Sequence, residues 1–318
     1  MFSITEADNG RGILEYREEY LTGLKCRISP ERLKRRIDQP LVPLEATDGC
    51  PFCRENIFSL TPTFPDGSRI LRGESVTFPN MFPFAAWHSV TVISRDHLVS
   101  SFSRQQIDDA LQAQTESLSR ANGYPCINWN YLPSAGASIV HPHMQGICDP
   151  RPSWMVERYL SAGKEYLSRT GKRYWDAIRE QESGSDRYLF GNEILWFAHA
   201  VPIGEREIRG ILPIHRLDEF ESYTGLLAEG ILEILSLYRK LGTQAFNMAI
   251  YFSKGKAGHF SAFCSLISRI NPNPQSTSDS AFMERLHFEP VILTLPEDLG
   301  RYYRAGANAE PPVNTHCK

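Results

Sequence analysis

Apolar and polar positions alternate most clearly from Ser75 onward. Val76-Thr77-Phe78-Pro79-Asn80 runs into Met81-Phe82-Pro83-Phe84, and Ser89-Val90-Thr91-Val92-Ile93 reads as a strand rich in β-branched residues. A polar turn, Ser94-Arg95-Asp96-His97, follows, and then a helix starting at Ser103, because Ser103 and Gln106 have the spacing of a capping box. Further strands are predicted near residues 126–130 and 139–147. The same order returns in weaker form. Residues 196–202 lead into a strand over 207–213, a turn at Ile214-His215-Arg216-Leu217-Asp218, a helical pattern over about 218–241, and strands near 246–252 and 259–269. Short helices are expected over 279–304, one of them opening at Pro296-Glu297-Asp298.

Two rounds of strand, turn, helix, strand, loop, strand point to an internal duplication. Each round has too few strands to cover both of its own faces. The halves are therefore expected to pack together in an α+β fold, as duplicated units with antiparallel sheets and flanking helices over residues 1–185 and 186–318. The first 48 residues give a polar start and a mixed basic stretch through Lys34-Arg35-Arg36, with no low-complexity block or long linker.

Composition narrows the function classes. With 318 residues, 42% hydrophobic and 22% charged, the chain is globular and long enough for two ordinary domains or one large one. A formal charge of −3 supplies no basic field for long nucleic acid, but a nucleotide-sized ligand held by local contacts is compatible with it. Met1-Phe2-Ser3-Ile4-Thr5-Glu6 is not a basic start followed by an apolar core, and no apolar run reaches the ~20 residues that span a bilayer. The expected location is cytoplasmic, with no membrane partner. The odd, scattered set of seven cysteines (Cys26, Cys50, Cys53, Cys126, Cys148, Cys264, Cys317) suits a reducing compartment.

The chemistry concentrates in His141-Pro142-His143-Met144-Gln145. In an extended strand, side chains at every second position share a face, so two imidazoles and an amide can meet one ligand. Ala135-Gly136-Ala137-Ser138 precedes them, a small-residue loop that lets a polar group approach the backbone, and phosphate is the natural candidate. The alternative is a surface strand that happens to carry two histidines. The surrounding Asn130, Gly136, Ser138 and Gln145 weigh against it. Upstream, Cys50-Pro51-Phe52-Cys53 is either a redox pair or a metal knuckle. Redox pairs of this form open a helix within a βαβ unit, whereas this one lies in a turn-rich segment with Pro40, Pro43 and Asp48 before it and Pro62 and Pro65 after it. A knuckle needs a second pair of ligands from elsewhere.

His-Pro-His-x-Gln after an asparagine and a Gly-x-Ser loop, with an upstream Cys-x-x-Cys and a duplicated half, resembles the galactose-1-phosphate uridylyltransferase family of the histidine-triad superfamily, over about residues 45–270. The resemblance implies duplicated histidine-triad-like units and nucleotide transfer through a covalent nucleotidyl-histidine. His143 would be the nucleophile, and His141, Cys50, Cys53 and His97 the ligands of one structural zinc per chain. Asn130, Ser138 and Gln145, with backbone amides near Gly136, would donate to the phosphoryl oxygens. Asn80 opens a segment, residues 80–84, similar to one that lines the nucleoside in that family. Implied partners are a nucleotide sugar with a sugar 1-phosphate or phosphate, and a homodimer is left open.

Physical chemistry agrees with these assignments. Two thiolates and two neutral imidazoles neutralise Zn²⁺ and close a tetrahedron, which leaves no position for water. An attacking imidazole needs its other nitrogen protonated against a fixed acceptor. Glutamine at 145 cannot act as a general acid or base, which disfavours attack by water and favours an anionic acceptor. Phe78, Phe82 and Trp87 could stack on uracil or adenine, or belong to the core. The second half reads His259-Phe260-Ser261-Ala262-Phe263-Cys264 and lacks the H-x-H of family members with another metal, so a second metal is not expected there, with Glu157, His199 and His259 as remnants. Arg269, Glu284, His287 and Glu289 lie where the family binds its hexose phosphate, without a residue-by-residue match. The readings that remain are uridylyl transfer between a nucleotide sugar and a sugar 1-phosphate, a phosphorylase of an adenylylated compound such as ADP-glucose or a dinucleoside polyphosphate, and a non-catalytic nucleotide-binding protein.

Overall fold

The computed structural model describes residues 1–8, 10, 12–34, 49–99, 101–270 and 278–306. Arg35, Arg36, Pro40, Pro43, Asp48 and Cys317 of the sequence discussion lie outside them. In chain order the strands are β1 (Phe2–Asp8), β2 (Ile13–Glu19), β3 (Lys25–Ile28), β4 (Ile70–Arg72), β5 (Ser75–Pro79), β6 (Trp87–Val92), β7 (Tyr124–Tyr131), β8 (His143–Asp149), β9 (Tyr188–Phe190), β10 (Leu195–Ala198), β11 (Ile208–Ile211), β12 (Phe246–Tyr251), β13 (Phe263–Ser268) and β14 (Val291–Ile292). The helices are α1 (Ile57–Leu60), α2 (Arg104–Leu118), α3 (Trp154–Thr170), α4 (Tyr174–Ser183), α5 (Thr224–Lys240) and α6 (Pro296–Ala305).

The expected α+β architecture is present, and the two halves share a single sheet. Its order, β4-β5-β6-β8-β7-β12-β13-β11-β10-β9, reads the same from either edge once each half is numbered from its own start. The seam is the antiparallel pair β7 and β12. Register makes the duplication residue-specific. Val92 pairs with His143 and Ile211 with Phe263, while Gln145 pairs with Asn128 and Ser265 with Ala249. Ile93 donates to the Pro142 carbonyl and Leu212 to that of Ala262. Ser261, Phe263 and Ser265 therefore occupy the places of His141, His143 and Gln145.

Alternation along the strands sorts side chains between two layers. Met144 and Trp129, with Cys264 and Leu266, join the large core under α2 and α5. The opposite face is covered differently in each half. In the second half, α3 and α4 lay Tyr159, Tyr174 and Trp175 over Phe197, Ile211 and Phe263. In the first, Cys50, Phe52 and Ile57 cover Phe78, Val90 and Val92.

Some elements depart from the sequence-based expectation. The capping box at Ser103 forms as predicted, with both of its hydrogen bonds. Strand β8 begins at His143 rather than 139, because the chain before it turns the His141 ring toward the Ser94 carbonyl. The helix expected from 218 starts at Thr224 after two short 3-10 turns, since Glu219 accepts the amides of His215 and Arg216 and ends the first turn locally. Helices α3 and α4 and the four-stranded sheet β1-β2-β3-β14 were not anticipated.

That smaller sheet docks through buried charge. Glu19, at the end of β2, accepts from the Tyr174 hydroxyl at 2.9 Å, from the Tyr159 hydroxyl at 3.1 Å and from Thr22, with Nε2 of His199 at 3.4 Å. Arg17 grips Glu297 of α6 with two bonds of 3.0 Å and donates to the Ala200 carbonyl. Burial alone would raise the Glu19 carboxyl, but the bond and charge of His199, with Arg209 and Thr22, hold it at about 2 instead of 4.5. A folded-state value below the unfolded one means that its stabilisation is complete above about pH 4.5 and disappears as pH falls toward 2. Glu19→Gln is expected to lower unfolding free energy at neutral pH by about 3 kcal/mol in urea titrations. It should also flatten the loss of stability between those two pH values, and an unchanged acid profile would contradict the assignment.

Candidate active site and metal-binding cluster

Strand β8 places His143 and Gln145 on the face away from α2, and the register sets their neighbours. Asn128 lies opposite Gln145 and Trp129 opposite Met144, so Asn130 follows opposite His143. On the far side of Asn130 comes Asn247 of β12. The back of β8 is pressed against α2: a Cβ on Gly146 would stand 2.1 Å from Oε1 of Gln114, which also accepts from Ser89 of β6 at 3.0 Å. Glycine at 146 lets the strand lie that close.

His143 is buried, and its Nδ1 lies 2.8 Å from the carbonyl oxygen of His141. A carbonyl only accepts, so Nδ1 carries the proton and Nε2 keeps its lone pair. Burial holds this imidazole below its ordinary pKa, against the opposing effect of the His141 bond. The ring is therefore neutral near pH 7 in its nucleophilic tautomer. Phe52 stands edge-on to it with centroids 5.2 Å apart.

His141 uses its nitrogens the other way round. Nε2 meets the Ser94 carbonyl at 2.8 Å, which frees Nδ1 to face Sγ of Cys50 and of Cys53, each at 3.8 Å. Nδ1 of His97 is 3.3 Å from Sγ of Cys53, and the four ligand atoms all lie within 4.8 Å of one another. A tetrahedron with bonds of about 2.3 Å to sulfur and about 2.0 Å to nitrogen has S···N edges of roughly 3.5 Å, so the spacing fits zinc. Burial and the adjacent Cys50 push the Cys53 thiol up to about 11. Two thiolates this close need a cation between them. The pair precedes the short α1 in a turn, and among the described residues no βαβ unit surrounds it, since every pairing in the ten-stranded sheet is antiparallel.

The loop between β7 and β8 uses three of its own amides to hold its shape. Gly136 adopts φ +84° with open space around its Cβ position, so conformation rather than crowding selects glycine. The amides of Ala135 and Ala137 donate to the Leu132 carbonyl and that of Gly136 to Pro133. These backbone donors are committed to holding the loop. The side chains of Asn130 and Gln145 are half-buried and that of Ser138 is exposed, and each carries a hydrogen-bond donor.

The segment after β5 is built around Asn80, whose Oδ1 accepts the Phe82 amide at 2.8 Å. It leaves Phe82 and Phe84 81% and 75% exposed, an apolar platform open to a ligand. Phe78 instead packs on Phe52, and Trp87 stacks on Phe64 and donates to Ser117 of α2, so both are packing residues. His88 was missed by sequence reasoning. Its Nε2 is 2.9 Å from Oε1 of Gln145 and 3.1 Å from Nδ2 of Asn80, and the Phe84 ring lies 4.4 Å away. Burial lowers its pKa, against the bond to Gln145. The Phe84 amide donates to Nδ1 at 3.4 Å, so a neutral ring carries its proton on Nε2 and donates to Oε1 of Gln145, which fixes the orientation of that side chain, while the Asn80 nitrogen is a neighbour of Nε2 rather than its partner. Strand alternation, His88-x-Val90-x-Val92, was the available signal.

In the second half, Phe263 stands where His143 stands in the first, 4.8 Å from the Tyr251 ring. Glu157 is exposed, His199 lies between Glu19 and Glu207, and His259 turns its carbonyl toward Gly163. Among the described residues, Cys50, Cys53, His97 and His141 are the group with ligand atoms placed for a metal. Glu284 accepts the Val291 amide, Glu289 pairs with Arg27, and His287 packs on Phe282, all away from the row of His143. Arg269 alone of that quartet reaches toward it, through Asn247.

The architecture is a duplicated α+β unit whose halves share one antiparallel sheet. Comparison with solved structures finds it in an ADP-glucose phosphorylase from Arabidopsis thaliana with bound ADP-glucose, at TM-score 0.74 and 19% identity over 93% of this chain and 99% of that one. A GalT-like protein from the same plant gives 0.73 and 18% over 92% and 99%, and a uridylyltransferase 0.68 and 20% over 91% and 97%. At these identities the likeness is one of fold. No family model matches the chain. An uncharacterized protein of Archaeoglobus fulgidus is 27% identical over 304 residues, 92% of each chain.

Cys50→Ser is expected to lower bound zinc, read by elemental analysis, together with the thermal midpoint. A protein purified without transition metal, or with Cys50 and Cys53 as a reversible disulfide that sets activity, would speak for redox chemistry instead. His88→Ala should reduce turnover about tenfold through loss of Gln145 orientation while zinc content stays at the wild-type level, and unimpaired turnover would rule out that role.

Proposed function

We propose that this chain is a nucleotidyltransferase that moves a nucleoside monophosphate from a nucleotide sugar to a sugar 1-phosphate, of the hexose-1-phosphate uridylyltransferase kind, through a covalent intermediate on His143. The observation that carries this is the bond from Nδ1 of His143 to the carbonyl two residues upstream, which sets the nucleophilic tautomer at rest. Nε2 attacks the α-phosphorus in line, a P–N bond forms, and the P–O bond to the departing sugar phosphate breaks. An acceptor phosphate oxygen then attacks the same phosphorus and the P–N bond breaks. Asn130, Ser138 and Gln145 donate to the phosphoryl oxygens as charge builds on them. Asn80 shapes the loop that offers Phe82 and Phe84 to the nucleoside.

Zinc would be held by Cys50, Cys53, His97 and His141, and its contribution is structural: it pins the knuckle and the turn after β6 to the residue that leads into β8. The units 1–185 and 186–318 divide the work, with chemistry in the first. The phosphorylase reading, in which inorganic phosphate splits ADP-glucose, is favoured by the likeness to the structure that binds this compound. Among the described residues no helix is long and apolar enough to cross a membrane, which is compatible with work in the cytoplasm.

Incubation with radiolabelled UDP-glucose or ADP-glucose is expected to leave acid-labile, base-stable label on the protein, absent from His143→Ala, which should lose turnover and keep its zinc. Chase with sugar 1-phosphate or with inorganic phosphate then separates transferase from phosphorylase. Initial rates should give parallel reciprocal lines with net retention at phosphorus, since each in-line attack inverts once. Intersecting lines with inversion would establish direct displacement, and absence of label with tight nucleotide binding would establish a non-catalytic protein.

A further inference from the structure

The row of side chains that holds His143 continues across the seam between the halves. Asn130 lies opposite His143, and Asn247 of β12 opposite Asn130. Nδ2 of Asn247 donates to Oδ1 of Asn130 at 2.7 Å and to the Ala135 carbonyl at 2.8 Å, while its Oδ1 accepts from Nη1 of Arg269 at 2.7 Å. Arg269 is held in turn by Asp279, whose Oδ1 accepts from its Nε at 2.7 Å. The direction of this chain is not arbitrary. A guanidinium only donates and a carbonyl only accepts, so Asn247 can be oriented in one way, and the oxygen of Asn130 is then the atom that receives its donor. The Asn130 nitrogen is left to face the site, at the end of a relay that starts on the Arg269–Asp279 ion pair. The same Asn247 amide anchors Ala135 and with it the loop that carries Ser138.

The pseudo-symmetry shows that this contact is specific to one side. The seam position equivalent to Asn247 is Cys126, which lies opposite Tyr251 on the side where Phe263 replaces His143. An amide pair spans the seam where the histidine stands, whereas on the other side the pair is Cys126 and Tyr251, whose ring turns onto Phe263 within the second half.

We propose that Asn247, fixed by Arg269, is a positioning residue lent by the second unit, which aims Asn130 and the 132–138 loop at the transferring phosphoryl group. The assignment rests on the nucleotidyl-transfer reading. Asn247→Asp is nearly isosteric but cannot donate to either Asn130 or Ala135.

Single-turnover formation of labelled enzyme from the donor nucleotide sugar is the test, on the zinc-loaded full chain. Asn247→Asp is expected to slow labelling about 10- to 100-fold with less than about threefold change in donor KM and with zinc content and thermal midpoint at wild-type values. Because Asn247 acts through Asn130 and through the loop anchored at Ala135, Asn247→Ala should cost clearly less in Asn130→Ala than in the wild-type background. Arg269→Met, a second variant should Asn247→Asp fold poorly, should slow the same step in the wild-type background and not in Asn247→Ala. Wild-type labelling rates in these variants, or losses that multiply in the double variant, would overturn the assignment while labelling of His143 in the wild-type protein stands. A wild-type protein that labels with no donor overturns the transfer reading, and this assignment with it.

Discussion

Every group at the candidate site depends on the register in which β8 is held between β6 and β7. A slip of one residue would turn His143 and Gln145 under α2 and bring Met144 to the open face. Steric fit on the helix side opposes the slip, because Gly146 is where Gln114 and Ser89 come closest to the strand. On the other side, His141 ties the residue before β8 to Ser94 and to the two cysteines. The same register fixes proton placement. Nδ1 of His143 finds its acceptor in the carbonyl two residues earlier on its own chain, so strand geometry and tautomer are one constraint.

The duplicated halves show how one topology carries two purposes. Equivalent positions hold His141 and Ser261, His143 and Phe263, Gln145 and Ser265, and Asn130 and Tyr251. In the second half the face is closed by α3 and α4, whose Tyr159 and Trp175 pack on Phe263. Fully buried Arg209 sits there against Tyr159, Glu207 and Phe263, and Ser265 donates to Glu207. Buried charge of this kind stabilises only when every partner is present. The first half keeps its face partly open, with the cysteine knuckle covering one end and exposed Phe82 and Phe84 at the other.

Much of the first half was legible because its signals are local. The alternation over 75–93 and the Ser103 capping box depend on neighbours within a few residues, and both elements form as read. The caps of α3 were equally local, Ser153 accepting the Val156 amide and Gly171 at φ +69°, but the helix buries only Val156, Tyr159 and Gly163 among many charges, so its apolar stripe is thin. Strand β1 is largely exposed and gives no alternation to find. Its sheet exists because Glu19 and Arg17 of β2 meet partners on α3, α4 and α6, more than a hundred residues away.

The duplicated antiparallel plan and the residue types at the candidate site were written in the chain: Cys50, Cys53, His97, His141, His143 and Gln145 are recognisable as short spaced motifs. The sequence could not say which nitrogen of His141 and His143 carries the proton, which aromatics are exposed and which packed, that loop amides near Gly136 are already engaged, or that His88 meets Gln145 and Asn247 meets Asn130. Those were decided by tertiary structure. Tautomer and amide orientation follow from the partner across the strand, and that partner is set by register, as with Asn130 and Asn247, 117 residues apart along the chain and side by side in the sheet.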